Sequence, residues 1–264
     1  MAYLSSGRES TQCESAQSRA SRWLHRLREQ CGRIVDAVPS DCLLCQGRAS
    51  GGRLCAGCAA DVVGSMHNNA PRCAVCSIVL APGPGCPDCA RREPAFERII
   101  SAFDYQPPGD LLVRRFKGGA FAYARALSGL LACATRAAEV LPAGTILVPV
   151  PASRASIKMR GFNPAAEIAR YLARQLQLEC RPGLLLRVRE GVKQTRLSRE
   201  ERFLGTEGLY HCPRRVDGAA IAVVDDVLTT GSTLNSIARR FKDAGAGPVY
   251  GLVVARTPFH ERPE

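Results

Sequence analysis

The sequence predicts an α/β protein with a parallel sheet, preceded by a small cysteine-rich metal module. Three observations carry this expectation. Short, continuously apolar strand segments alternate with amphipathic helical ones from Phe96 onward. Eight of the thirteen cysteines fall between Cys42 and Cys89 in a repeated spacing. Two carboxylates, Asp225 and Asp226, close one apolar strand and are followed by the small, hydroxylated run "LTTGST".

Residues 1–20 are polar, lack an apolar signal core and are expected to be a disordered leader. Over 21–38, Trp23, Leu27, Ile34 and Val38 recur at helical spacing and predict an amphipathic helix. Glycine and proline punctuate the cysteine region, as tight turns require. Beyond it, "FERIISAFDY" reads as a strand, "YARALSGLLACATRAAEV" as a long helix and "TILVPVP" as a buried strand. "NPAAEIARYLARQLQ" is a helix with Asn163 as N-cap and Pro164 at the first helical position. "AAIAVVDD" is a strand, "TLNSIARRFKDAG" a helix ended by Gly245, and "PVYGLVVAR" a last strand, with 258–264 as a tail. Unbroken apolar strands joined through helices imply a parallel sheet covered on both faces.

Cys42, Cys45, Cys55 and Cys58 form C-x2-C-x9-C-x2-C, and Cys73, Cys76, Cys86 and Cys89 repeat it 31 residues later. Two residues between thiols let both sulfurs of a knuckle face one ion, and two knuckles complete a tetrahedral four-thiolate site. Two structural Zn2+ ions are expected, with iron as the other metal such a cage accepts. Four thiolates leave no open position for catalysis. A disulfide framework would need an oxidising compartment, and no export signal is visible. Spacing leaves open whether each half binds its own ion or the pairs interleave. Cys13, Cys31, Cys133, Cys180 and Cys212 lack partners at metal spacing.

Hydrophobic content of 46% and charged content of 23% are ordinary for a globular cytoplasmic protein, and no apolar run can cross a bilayer. The 36 basic residues against 24 acidic ones leave an excess of +12. Two divalent ions held by eight thiolates would lower it by four. The excess attracts polyanions and phosphorylated small molecules alike, so it selects no partner.

Ligands of parallel sheets bind beyond the carboxyl ends of strands, where Asp225 and Asp226 are expected to sit. A helix N-terminus carries unpaired N–H groups and a positive dipole, which favour phosphate. Gly231 allows close backbone approach, and Thr229, Thr230, Ser232 and Thr233 offer hydroxyls. The two carboxylates repel phosphate, but accept hydrogen bonds from sugar hydroxyls or place a divalent ion through water. The bland alternative is a turn capped by aspartate before an ordinary helix. The pattern is not a P-loop, since its glycine–lysine pair is missing.

"VVDDVLTTGST" (223–233) resembles the phosphoribosyl pyrophosphate (PRPP) motif of type I phosphoribosyltransferases. The cysteine module, "RRFKGG" (114–119), "VPVPASRASIKMRGFN" (148–163), "KQTRLSREER" (193–202) and that motif, in this order, resemble the ComF/GntX family over about residues 35 to 257. The resemblance implies a double zinc ribbon over 39–92 and a type I phosphoribosyltransferase fold over 96–257. It implies that Asp225 and Asp226 meet ribose hydroxyls and that Thr229, Thr230, Gly231, Ser232 and Thr233 hold the 5-phosphate. Ala152, Ser153 and Arg154, supported by Lys158 and Arg160, would face pyrophosphate with Mg2+. Lys193 and Arg196 would lie on a loop that closes over PRPP. Lys117 matches a family lysine without a stated role.

Three positions depart from the family pattern. Pro164 replaces a glutamine, Gly205 stands nearest an expected asparagine, and Thr229 lies where purine-salvage enzymes carry a carboxylate base. The last departure leaves no candidate base for the acceptor. The expected function is therefore a cytoplasmic protein that binds magnesium-PRPP and transfers its phosphoribosyl group to an unidentified nucleophile. The family resemblance ties it to DNA uptake or utilisation. A second reading is a PRPP-sensing or single-stranded nucleic-acid-binding adaptor, although 6% aromatic content offers little for base stacking. A third makes the ribbons an oligomerisation or partner-docking surface.

Overall fold

The computed structural model describes residues 37–68, 70–81, 83, 85–91, 93–189 and 208–258. The leader and the 21–38 helix, apart from its last two positions, lie outside them, as do Lys193, Arg196 and Gly205. The chain divides into two compact units, residues 1–55 and 56–264.

In the first unit, β1 (Pro39–Asp41) and β2 (Arg48–Ser50) form an antiparallel pair around the first knuckle. The Cys42 amide donates to the Gly47 carbonyl at 2.7 Å and the Gln46 amide to the Cys42 carbonyl at 3.0 Å. Gln46 adopts φ 61°, which closes the knuckle.

The second unit begins with α1 (Ala56–Gly64), which packs on the sheet through β3. The second knuckle repeats the first. The Cys73 amide donates to Ile78 at 2.9 Å, the Ser77 amide to Cys73 at 2.9 Å, and Ser77 takes φ 60°. A short helix, α2 (Pro87–Arg91), carries the last cysteine pair onward.

The sheet has four strands in the order β3-β8-β7-β4, all parallel: β3 (Arg98–Asp104), β4 (Ile146–Pro149), β7 (Ile221–Leu228) and β8 (Val249–Arg256). The α/β expectation is met. Between β3 and β4 lie α3 (Gly109–Lys117) and α4 (Ala122–Ala138). After β4 come α5 (Arg154–Arg160) and α6 (Pro164–Leu176). Strands β5 (Leu186–Arg187) and β6 (Tyr210–His211) form a separate antiparallel pair, and α7 (Ser232–Asp243) joins β7 to β8.

Strand alternation gives the sheet two apolar faces. One is covered by α4 and α6, which pack on each other and on β3, β8, β7 and β4. Ser128 stitches these helices by donating to the carbonyls of Ala124 at 2.6 Å and Ile168 at 3.2 Å. On the other, Ile99, Ile221, Val223, Val249 and Val253 cluster with Leu234, Ile237 and Phe241 of α7. Gly251 permits this approach, because a Cβ there would lie 2.5 Å from Leu234 Cδ1. Cys76, Ile78 and Cys86 belong to the same cluster, so the second cysteine group forms part of the larger unit's core.

Two elements differ from the sequence reading. The segment after β4, to which the sequence assigned no element, is helical over Arg154–Arg160 with no buried residue. Its lack of an apolar stripe hid it. Its ends were legible, since Ser153 caps it by accepting from the Ser156 amide and Gly161 closes it at φ 83°. Helix α3 carries an apolar face through Leu112, Val113 and Phe116 that the reading of "RRFKGG" did not use.

Candidate phosphate–ribose site and two cysteine cages

Asp225 and Asp226 sit where the sheet loses a neighbour. Strand β4 pairs with β7 from Ile146↔Ile221 only as far as Pro149↔Val224, and the Val150 amide donates to the Val224 carbonyl at 2.9 Å. The β8 ladder continues to Leu228↔Arg256. The strand therefore runs past the aspartates rather than ending at them, and the crevice arises because β4 turns away. Asn163 holds that turn. Its Nδ2 donates to the Val150 carbonyl at 3.0 Å while its Oδ1 accepts from the Ala165 amide at 3.1 Å, capping α6 as expected.

The carboxylates are unequal. Asp225 accepts from the Asp226 amide at 2.8 Å, and Asp226 accepts from the Val227 amide at 2.6 Å. Lys117, at the end of α3, forms a 3.1 Å ion pair with Asp226. Burial, followed by the Asp226 charge, pushes the Asp225 carboxyl up to about 7 against the opposing pull of its backbone hydrogen bond and Lys117. A partner that supplies hydroxyl donors or positive charge would favour its ionised form.

Beyond β7, Thr229 is exposed, Thr230 and Thr233 are half-buried and Ser232 is buried. Gly231 stands before α7 at φ 76°, a conformation that favours glycine, and offers no side-chain cap of its own, while the Thr230 hydroxyl accepts from the Ser232 amide at 3.4 Å. The Thr230 and Ser232 hydroxyls lie 2.9 Å apart. Apart from the Ser232 amide, the helix N-terminus retains the donors and dipole that suit an anion.

Ala152 and Ser153 leave β4 at the same sheet edge, because β4 and β7 run parallel in register. Ser153 uses its hydroxyl on α5, donating to the Ser156 hydroxyl at 2.8 Å. Arg154 and Lys158 are exposed on α5 and Arg160 is half-buried. Two neighbours went unread in the sequence. Tyr210 is 5% exposed, and Arg187 donates to its hydroxyl at 3.3 Å. Burial pushes that phenol up to about 12; the Asp225 charge adds to the rise and Arg187 opposes it. Nothing in the spacing of the two-residue strands β5 and β6 signals this pairing, which tertiary packing creates.

Each cysteine group assembles from its own half of the repeat, which resolves the pairing that spacing left open. The sulfurs of Cys42, Cys45, Cys55 and Cys58 lie within 4.8 Å of one another, as do those of Cys73, Cys76, Cys86 and Cys89. Individual separations are 3.7 Å for Cys45–Cys55, 3.8 Å for Cys73–Cys89 and 3.5 Å for Cys76–Cys86. A tetrahedron with metal–sulfur bonds of 2.3 Å has edges of about 3.8 Å, so both groups fit an ion. No disulfide joins the described cysteines.

Backbone amides of Leu44 and Cys55 reach Cys42 Sγ at 3.5 and 3.4 Å. Although burial opposes it, amide hydrogen bonds lower the Cys42 thiol to about 6. In the second group, burial pushes Cys76 up to about 12, and burial with neighbouring thiolates pushes Cys89 up as well. Such repulsion is what a divalent cation reverses.

DNA utilization protein YhgH of Salmonella typhi is 31% identical over 228 residues, covering 83% of this chain and 98% of the relative. The chain belongs to the ComF/YhgH family. Competence protein F of Haemophilus influenzae is 28% identical over 226 residues, covering 81% of this chain and 96% of the relative. The YhgH protein of Escherichia coli K12 is 30% identical over 176 residues, with 65% and 78% covered. No family model matches the chain. A purine phosphoribosyltransferase structure from Pyrococcus horikoshii Ot3 covers 63% of this chain and 96% of its own at 14% identity, with a TM-score of 0.28. As a ComF/YhgH member, the chain has no helix among its described residues long and apolar enough to cross a membrane.

Proposed function

We propose that this protein binds magnesium-PRPP at the carboxyl edge of its sheet and transfers the phosphoribosyl group to an acceptor with release of pyrophosphate. It acts in the cytoplasm, in a process that consumes or takes up DNA, as the names of its relatives indicate for them. The observation that carries this reading is the Asp225–Asp226 pair beside the departing β4 strand, followed at once by the Gly231-led N-terminus of α7. A ribose 5-phosphate suits both halves: carboxylates accept from the 2- and 3-hydroxyls, and the Thr229–Thr233 backbone donates to the phosphate.

Displacement at C1 of the ribose breaks the C1–O bond to pyrophosphate and forms a bond to the acceptor nucleophile. Cations near the leaving group stabilise its developing charge. Arg154, Lys158 and Arg160 are the candidates after β4, and the family resemblance adds Lys193 and Arg196. Magnesium supplies further charge neutralisation when bound with PRPP. Zinc in the two cysteine cages is structural in this reading, since four thiolates leave no open position.

The test is calorimetric titration of the zinc-loaded protein with PRPP and Mg2+, beside the double variant Asp225→Asn/Asp226→Asn. Binding by the wild type and its loss in a folded, zinc-replete variant are expected. Equal affinity in both would refute the site. Absence of binding in both would favour an adaptor, although Phe121 is the one exposed aromatic among the described residues.

A further inference from the structure

Arg256 is the largest fully buried side chain among the described residues, at 1% exposed. An arginine so enclosed is stable only when its donors are met and its charge is paired. Its Nε donates to the carbonyl of Cys76 at 3.3 Å, and its Nη2 meets the Asp88 carboxylate at 3.2 Å. Its Nη1 donates to the carbonyls of Leu228, at 3.3 Å, and Thr229. Cys76 is a member of the second cysteine group, and Asp88 lies between two others, Cys86 and Cys89. Leu228 ends β7 and Thr229 opens the loop toward Gly231. One guanidinium therefore joins the metal cage to the start of the candidate phosphate loop.

We propose that Arg256 is a positioning residue through which metal occupancy of the second cysteine group sets the conformation of residues 229–233. The planar fork fixes direction as well as charge. Two of its edges grip the cage and the third grips the loop, so a lysine cannot replace it. An ion in the cage holds the Cys76 carbonyl and the Asp88 carboxylate in place. These orient the guanidinium, which pins the Leu228 and Thr229 carbonyls and aims the following amides. Where the loop binds phosphate, which rests on the reading above, the coupling is reciprocal: PRPP raises the affinity for that ion by the factor by which the ion tightens PRPP.

The experiment measures amide hydrogen exchange in the full chain at Asn235 and Thr257, whose amides donate to the loop carbonyls of Gly231 at 2.8 Å and Leu228 at 2.9 Å, with Ile221–Val224 as the internal reference. Three samples are compared with the zinc-loaded wild type: zinc-loaded Asp88→Asn, zinc-loaded Arg256→Lys, and wild type stripped at the second group in a mild chelator. Loop exchange about tenfold faster, with the reference segment unchanged, is expected in each. Asp88→Glu, which keeps the charge, is expected to restore slow exchange. Unchanged loop exchange in the stripped protein and in Asp88→Asn would overturn the proposal. Faster exchange spread equally over Ile221–Val224 would overturn it too, by showing a general loss of stability instead. PRPP titrations of the same samples separate the two readings. Loop exchange that responds to metal while no sample binds PRPP leaves the positioning role standing and removes the phosphate reading.

Discussion

Asp225 sits in an environment far from what its type alone implies. Its carboxyl, ordinarily at 3.8, is held at about 7 by burial and the Asp226 charge. The folded state therefore binds a proton that the unfolded state has released across roughly pH 4 to 7, and this group's contribution to stability falls as pH rises through that window. Asp225→Asn is expected to stabilise the ligand-free protein relative to wild type by on the order of 2 kcal/mol at about pH 8, and by little at about pH 4. Urea unfolding at the two pH values checks this. Binding to ribose hydroxyls favours the carboxylate, so PRPP binding near pH 6 should release a proton, read by calorimetry in buffers of different ionisation enthalpy. Gly231 offers a second test. A Cβ there meets nothing within 4 Å, but φ 76° strains any L side chain. Gly231→Ala is expected to cost about 1 kcal/mol by thermal unfolding and to weaken PRPP binding more than this loss explains.

Among the elements, α6 was the most legible, because Asn163, Pro164 and an apolar stripe all specify it locally. Its cap also restrains the β4 turn through Val150, a role that only packing shows. Asn163→Ala should cost about 1–2 kcal/mol in chemical denaturation. The second knuckle is tied to β3 by Arg72, whose guanidinium pairs with both Asp104 oxygens at 3.0 and 2.7 Å. Their side chains are 14% and 4% exposed. Removing one partner leaves a buried charge, so Arg72→Ala is expected to cost about 3–5 kcal/mol. The double variant Arg72→Met/Asp104→Leu should recover part of it, and denaturant midpoints of the three proteins measure the difference. Neither residue is singled out by sequence. Arginine before a knuckle and aspartate at a strand's end are ordinary surface choices until the fold buries them together. Helix α5 escaped for the opposite reason, since it buries nothing and has no periodicity to read.

At the scale of the whole molecule, the two cysteine cages differ in what their loss should do. Cys76 and Cys86 lie in the apolar cluster shared by α7 and the sheet, whereas Cys45 is exposed. Cys76→Ser is therefore expected to lower the unfolding midpoint of the 56–264 unit far more than Cys45→Ser, with calorimetric unfolding as the measurement. Chain order and residue chemistry alone determined the α/β class, the two cages and the Asp-Asp-Thr-Thr-Gly-Ser segment, because periodicity, ligand spacing and helix-start chemistry act over a few residues. Tertiary structure decided which knuckles share an ion and where β4 abandons β7 to open the crevice. It also decided that Lys117 faces Asp226 and that Arg256 spans from Cys76 to Thr229. These contacts join residues tens to nearly two hundred positions apart, and no local propensity records such a distance.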